Sequence, residues 1–137
     1  MNNNKMNLWP ELDLNNISTP AMVLKDQAEY LSNSTNNVLN AFIKSSVTDT
    51  NGNYFETTHP IKHEFVIIAP QLKNYSYELF YVVHGLDIYP LEIFWSDQKF
   101  KPIYTVRNEA DFLESLKQVF ADPKTFKVIQ ALYTQIA

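Results

Sequence analysis

Histidine side chains are the first residues of this 137-residue chain whose spacing suggests chemistry. His59 and His63 stand four residues apart, a spacing that lets two imidazoles bind one metal ion when they lie on a helix. Pro60 lies between them and an extended apolar pattern follows, so a helix is not expected there. On a strand, four residues separate two side chains by roughly 13 Å, too far for one ion. The sequence therefore predicts two surface histidines at the start of a strand and no metal site.

A second candidate is the segment His84-Gly85-Leu86-Asp87. If this segment is a tight turn, the imidazole of His84 and the carboxylate of Asp87 can hydrogen-bond, which raises the pKa of the histidine toward the range of a general base. No serine, threonine or lysine stands in a strained, glycine-flanked position to act as the nucleophile. We therefore expect a pair that ties the turn together rather than a catalytic dyad.

Two glutamates give the enzymatic alternative. Glu78 and Glu92 lie on two long predicted strands and are expected on the same face of the sheet as His84. Two carboxylates about 5–10 Å apart are the arrangement that glycoside hydrolysis requires. The alternative function is thus a small-ligand-binding protein or weak hydrolase that uses these three residues as acid–base groups. The favoured interpretation is an open sheet face whose charges keep it hydrated.

Composition argues against several other functional classes. The chain has no cysteine and only two glycines, which removes thiolate chemistry and glycine-rich phosphate-binding loops, and we expect no cofactor. The net charge is −4 and the single arginine is Arg107, so a nucleic-acid partner is not expected. Neither a secretory signal nor an apolar run of about 18 residues is found. We therefore expect a cytoplasmic protein of bacterial type with no membrane partner.

The elements that must position these residues follow from apolar periodicity. Residues 1–18 are predicted to form an N-terminal arm, and residues 19–137 a single α+β domain. Helix-start signals occur at Thr19-Pro20, Asn108 and Asp122-Pro123. Period-2 alternation predicts about five strands, at 38–47, 62–69, 75–84, 88–96 and 100–106. Short connections favour a mostly antiparallel meander with one N-terminal helix and a C-terminal helical hairpin packed on one sheet face, in the order α-β-β-β-β-β-α-α.

Two local features refine this outline. The arm is rich in asparagine but carries scattered apolar residues, and Trp9 is expected to anchor it by covering apolar surface of the domain. The segment 48–53 contains Asn51-Gly52, a pair that tolerates positive φ, and predicts a turn or hairpin tip.

The hairpin between the third and fourth strands decides which side chains share a face. A two-residue loop, Gly85-Leu86, pairs Leu79 with Glu92 and scatters polar groups over both faces of the sheet. A three-residue loop over 85–87 pairs Leu79 with Ile93 and gathers the apolar side chains on one face, and burial favours this register. The second face of the sheet then carries Phe80, Val82, Ile88 and Phe94 beside Glu78, Glu92 and His84.

Such a face is too apolar to be exposed only to water. The N-terminal arm, the first helix or another protein is therefore expected to cover it. We therefore predict a non-enzymatic protein-interaction domain, of an inhibitor-like, immunity-like or defence-accessory kind. It is expected to bind another protein or a second copy of itself. The predicted binding residues are the seven side chains of this face: Phe80, Val82, Ile88, Phe94, Glu78, Glu92 and His84. No catalytic residue is assigned.

Overall fold

A computed structural model describes residues 5–14, 17–47 and 60–136. The elements are α1 (Pro20–Ser34), β1 (Asn40–Val47), β2 (Ile61–Ala69), β3 (Tyr75–His84), β4 (Leu91–Trp95), β5 (Tyr104–Val106), α2 (Glu109–Ala121) and α3 (Pro123–Ile136). The five strands form one antiparallel sheet in sequence order, and the helices pack on it, so the predicted α+β meander is confirmed. The predicted turn over 48–53 and His59 lie outside the described residues. None of the described helices has the length and apolarity that a bilayer crossing requires.

All three helices begin where side-chain capping was predicted. The hydroxyl of Thr19 accepts a hydrogen bond from the amide of Met22 at 3.2 Å, and the Asn108 side chain accepts one from the amide of Asp111 at 2.8 Å. The carboxylate of Asp122 accepts from the amide of Lys124 at 2.8 Å. Each bond satisfies an amide that has no partner within its helix.

Removal of the α2 cap is expected to lower stability measurably. In Asn108→Ala the amide of Asp111 loses its acceptor, which should lower the free energy of unfolding by about 1 kcal/mol. Urea denaturation measures this difference. Gln118→Ala, at an exposed position of the same helix, is the matched control, and an equal loss in both variants would contradict the assigned cap.

The core lies between one face of the sheet and the three helices. Leu24 and Ala28 of α1 pack over the β1 side of this face, while α2 contacts β5 at the other side and α3 packs against α2. Phe65, Phe80 and Phe112 are the largest fully buried side chains. The remaining core residues include Leu39, Ile67, Ala69, Leu79, Val82, Leu91, Ile93, Trp95, Val106, Leu116, Val119 and Leu132.

A β-bulge in β3 overturns the predicted face assignment. Phe65 of β2 pairs with Phe80, but its neighbour Val66 pairs with Glu78, so Leu79 is an extra residue in β3. Leu79 and Phe80 are consequently both buried in the core. Because side chains alternate between faces, this one insertion exchanges the faces for the rest of the strand.

The β3–β4 hairpin also differs from both predicted registers. Phe80 pairs with Trp95 and Val82 with Ile93, so the connection spans residues 85–90 instead of two or three residues. Ile88 was predicted to start the fourth strand, but its φ of 69° is incompatible with an extended chain. The strand therefore begins only at Leu91.

The described part of the arm does not cover the domain. Trp9 is 75 % exposed, which shows that the predicted anchor is wrong for a single copy of the chain. The neighbouring apolar side chains are also exposed: Met6, Leu8, Leu12, Leu14 and Ile17. The domain thus completes its core without the described part of the arm.

Candidate functional site

The seven residues predicted to form one binding face are divided by the structure. Phe80 and Val82 are fully buried, and His84 is 6 % exposed; all three lie on the helix-covered face. Ile88 is half-buried in the β3–β4 loop. Phe94 lies on the open face, half-buried. The premise that these side chains make one exposed apolar surface is therefore wrong, and the bulge at Leu79 is the reason.

The proposed acid–base trio is not assembled either. Glu78 and Glu92 share the open face, but Glu92 pairs with Val83, five residues further along β3. At the rise of a strand this places the backbones of the two glutamates roughly 15 Å apart, whereas glycoside hydrolysis requires carboxylates about 5–10 Å apart. His84 is on the opposite face, so the structure does not bring together the three residues of the alternative, a small-ligand-binding protein or weak hydrolase.

On the open face, neighbouring side chains cover Tyr81. The ring of Tyr81 stacks on Phe94 at a centroid distance of 5.2 Å, and the ammonium of Lys62 lies 4.4 Å above the Tyr81 ring. Lys62 also forms an ion pair with Glu64 at 3.0 Å. Tyr81 is only 8 % exposed as a result, and its burial raises the pKa of the phenol. Around Tyr81, little apolar surface remains for a partner.

A pair of buried histidines lies on the other face, where β2 begins and β3 ends. The Nε2 atoms of His63 and His84 are 3.0 Å apart, and the two rings have a centroid distance of 5.0 Å. The Nδ1 atom of His63 is 2.7 Å from the hydroxyl of Ser45, and the Nδ1 atom of His84 is 2.8 Å from the carbonyl of Gly85. His84 was expected to pair with Asp87, but its ring nitrogens bond to His63 and Gly85.

The environment of the pair disfavours positive charge. Burial lowers the pKa of His63 from 6.5 to about 4, and the nearby His84 and Lys25 contribute in the same direction. His63 is therefore neutral at neutral pH. In the parts of the chain that the structure describes, no three histidine, aspartate or glutamate side chains converge to hold a metal ion.

An apolar groove separates α1 from the α2–α3 hairpin. Tyr30 and Leu31 form one wall, Phe120 and Ile129 the other, and the cavity between them has a volume of about 250 Å³. Core side chains form its floor: Phe65, Ile67 and Leu79. A wider depression of about 500 Å³ continues the groove along α2, and it is lined by Gln27, Leu113, Leu116, Lys117, Phe120 and Ala121. The groove and the described part of the arm are thus two apolar surfaces that no described residue of the same copy covers.

Sequence reasoning missed the histidine pair and the groove for different reasons. The pair depends on the β2–β3 register, which places His84 opposite Ile61, two residues from His63. For Ser45, the partner of His63, the sequence did carry a signal. The alternation of β1 puts Ser45 on the same face of the sheet as Ile43. The groove depends on helix placement, for which the pattern gave no signal. The sequence matches no protein-family model and has no significant similarity to any curated protein or any solved structure.

Proposed function

We propose that this chain is a protein-interaction domain that docks its apolar N-terminal arm into the groove between α1 and the α2–α3 hairpin of a second copy. The observation that carries the proposal is the exposure of the arm, where Trp9 and Leu8 remain 75 % and 83 % exposed beside a completed core. Large apolar side chains grouped in one short segment are typical of a binding surface. The class of function is the one predicted from the sequence, but the binding surface is the arm and the groove instead of the open sheet face.

The area that the arm can bury supports a stable complex. Fully burying one large apolar side chain is worth about 1.5–3 kcal/mol, which corresponds to about 60–120 Å² at 25 cal/mol per Å². Two exchanged arms bring ten such side chains, Met6, Leu8, Trp9, Leu12 and Leu14 from each copy. With an equal area lost from the grooves, the total is roughly 1,200–2,400 Å², which spans the range of specific interfaces.

The chemistry of the groove suits this occupant. Its walls and floor are mainly apolar, as the arm is. Lys117 stands at the wider end, where it can meet Glu11 of the arm. An inhibitor-like or immunity-like protein would use the same arm on a different protein, and a monomeric chain is the outcome that favours this alternative.

Polar substitution in the arm is expected to dissociate the dimer without unfolding it. The double variant Leu8→Ser, Trp9→Ser removes two of the most exposed apolar side chains of the arm, so its free energy of unfolding as a monomer should change by less than about 0.5 kcal/mol. Light scattering coupled to size exclusion should give twice the chain mass for the unchanged protein and the chain mass for the variant.

Leu86→Ser is the matched control because Leu86 is 92 % exposed in the β3–β4 loop and belongs neither to the arm nor to the groove lining. It should leave the dimer intact. Tyr30→Asp alters a groove wall at an exposed side chain and should dissociate the dimer as the arm variant does. A monomeric unchanged protein, or a dimer insensitive to both the arm and the groove variants, would overturn the proposal.

A further inference from the structure

We infer that Ser45 is the nucleophile of an acyl-transfer site in which His63 is the general base, with carboxylic esters as the class of substrate. The site goes beyond the proposed interaction function and is separate from the arm and the groove. The geometry that assigns it is a chain of three contacts: Ser45 Oγ to His63 Nδ1 at 2.7 Å, His63 Nε2 to His84 Nε2 at 3.0 Å, and His84 Nδ1 to the Gly85 carbonyl at 2.8 Å.

The last of these three contacts, between His84 and Gly85, determines which atoms donate and which accept in the other two. A carbonyl oxygen can only accept, so His84 must donate from Nδ1 to Gly85. A neutral His84 then has its lone pair on Nε2 and accepts from the Nε2–H of His63. This leaves the lone pair of His63 on Nδ1, directed at the hydroxyl of Ser45. The serine therefore donates a hydrogen bond to an unprotonated nitrogen, which is the position of a general base.

The strands hold these groups in place. Ser45 and His63 are directly opposite each other in the antiparallel β1–β2 pair, so their side chains share one face of the sheet. In the described part of the chain β1 is an edge strand and Ser45 is exposed, so none of these residues closes its hydroxyl off from substrate. His63 and His84 are 7 % and 6 % exposed, so the base is held in a dry environment. Burial keeps the pKa of His63 low, and the base is unprotonated at neutral pH.

The reaction is balanced with water as the only co-reactant. The Oγ atom of Ser45 attacks the ester carbonyl carbon while its proton moves to Nδ1 of His63. The carbon–oxygen bond to the alcohol breaks, and the alcohol leaves with that proton. Water then attacks the acyl-serine in the same way, which releases the carboxylic acid and restores Ser45. His84 is a positioning residue because it fixes the His63 tautomer and accepts from the imidazolium that forms.

A fluorophosphonate probe tests the nucleophile on the full-length protein. The probe phosphonylates an activated serine and releases fluoride, and intact mass and peptide mapping should find one adduct, on Ser45. Ser45→Ala should abolish the labelling. The matched control is Ser46→Ala, since Ser46 is an exposed neighbour on the same strand whose side chain faces the opposite side of the sheet. It should label like the unchanged protein. Absent labelling, or equal labelling of both serines, would overturn the inference.

The positioning role of His84 has its own readout in the pH profile. His84→Leu removes the acceptor for the His63 Nε2–H and should slow the labelling of Ser45 by about 10–100-fold, as expected when general-base assistance is weakened. His84→Gln keeps an acceptor oxygen and should restore part of the rate. Burial is the main cause of the low pKa of His63 and His84 adds to it, so the pH midpoint of labelling should be higher in His84→Gln than in the unchanged protein. An unchanged rate and midpoint in both folded variants would contradict the role.

Discussion

Phe80→Ala is expected to lower the free energy of unfolding by about 3–5 kcal/mol, because a fully buried aromatic ring is lost and a cavity remains. The ring of Phe80 stacks on Phe65 at a centroid distance of 5.3 Å and meets the edge of Phe120 at 5.7 Å. For a chain of this size the loss corresponds to a fall in Tm of roughly 10–20 °C. Urea denaturation and calorimetry measure the two quantities.

Phe94→Ala is the control for this prediction because Phe94 is half-buried on the opposite face of the sheet. It loses the stack on Tyr81 and should cost only about 1–2 kcal/mol. Had the predicted register been correct, Phe80 would be exposed and its substitution would cost no more than that of Phe94. A small effect at Phe80 would therefore reject the bulge at Leu79.

Acidification is expected to destabilise the protein through His63. Its pKa is about 4 in the folded state against 6.5 in the unfolded state, so between these values the unfolded chain binds a proton that the folded chain does not. The stabilising contribution is complete above pH 6.5 and is lost as the pH falls toward 4. The loss should reach about 2–3 kcal/mol, mainly because burial disfavours the charged ring, and His84 and Lys25 add to the effect.

Denaturation at a series of pH values measures this linkage. Carboxylates also contribute below pH 5, so the informative quantity is the difference between the unchanged protein and His63→Gln, which cannot take up this proton. The stability of His63→Gln should fall less between pH 6.5 and 5. Parallel stability curves for the two proteins over this interval would show that the folded-state pKa of His63 is not lowered.

The fold was predictable because its signals are local. The capping side chains of Thr19 and Asn108 are each bonded within four residues of their own position. The strand 75–84 has the predicted bounds, since aromatic and β-branched residues predominate in it. Leu39, Ala41 and Ile43 alternate toward the core as their pattern indicated.

The side chains of β3 that face the core could not be predicted, because one unpaired residue, Leu79, exchanges the two faces of the strand. Leu79 and Phe80 are adjacent apolar residues, and either can point to the core in a regular strand. Only the pairing of β2 with β3 decides that both do so. The loop over 85–90 is a second feature that the pattern could not predict. Ile88 adopts a positive φ there, which its β-branched side chain disfavours.

The histidine pair was hidden by the same non-local geometry. The spacing of His59 and His63 drew attention to a helical metal motif, whereas His63 contacts Ser45 at 2.7 Å and His84, 21 residues later, at 3.0 Å. A strand register brings such residues together, and no spacing rule along one chain segment reports it. The groove likewise depends on where α1 settles relative to the α2–α3 hairpin.

The fluorescence of Trp9 tests the docking of the arm most directly. In Trp95→Phe, Trp9 is the sole tryptophan, and in a single copy it is exposed. As the protein concentration rises, its emission should shift to shorter wavelength and become protected from acrylamide, and Tyr30→Asp should prevent both changes. Emission that stays solvent-exposed at every concentration would contradict the insertion of the arm into the groove of a second copy.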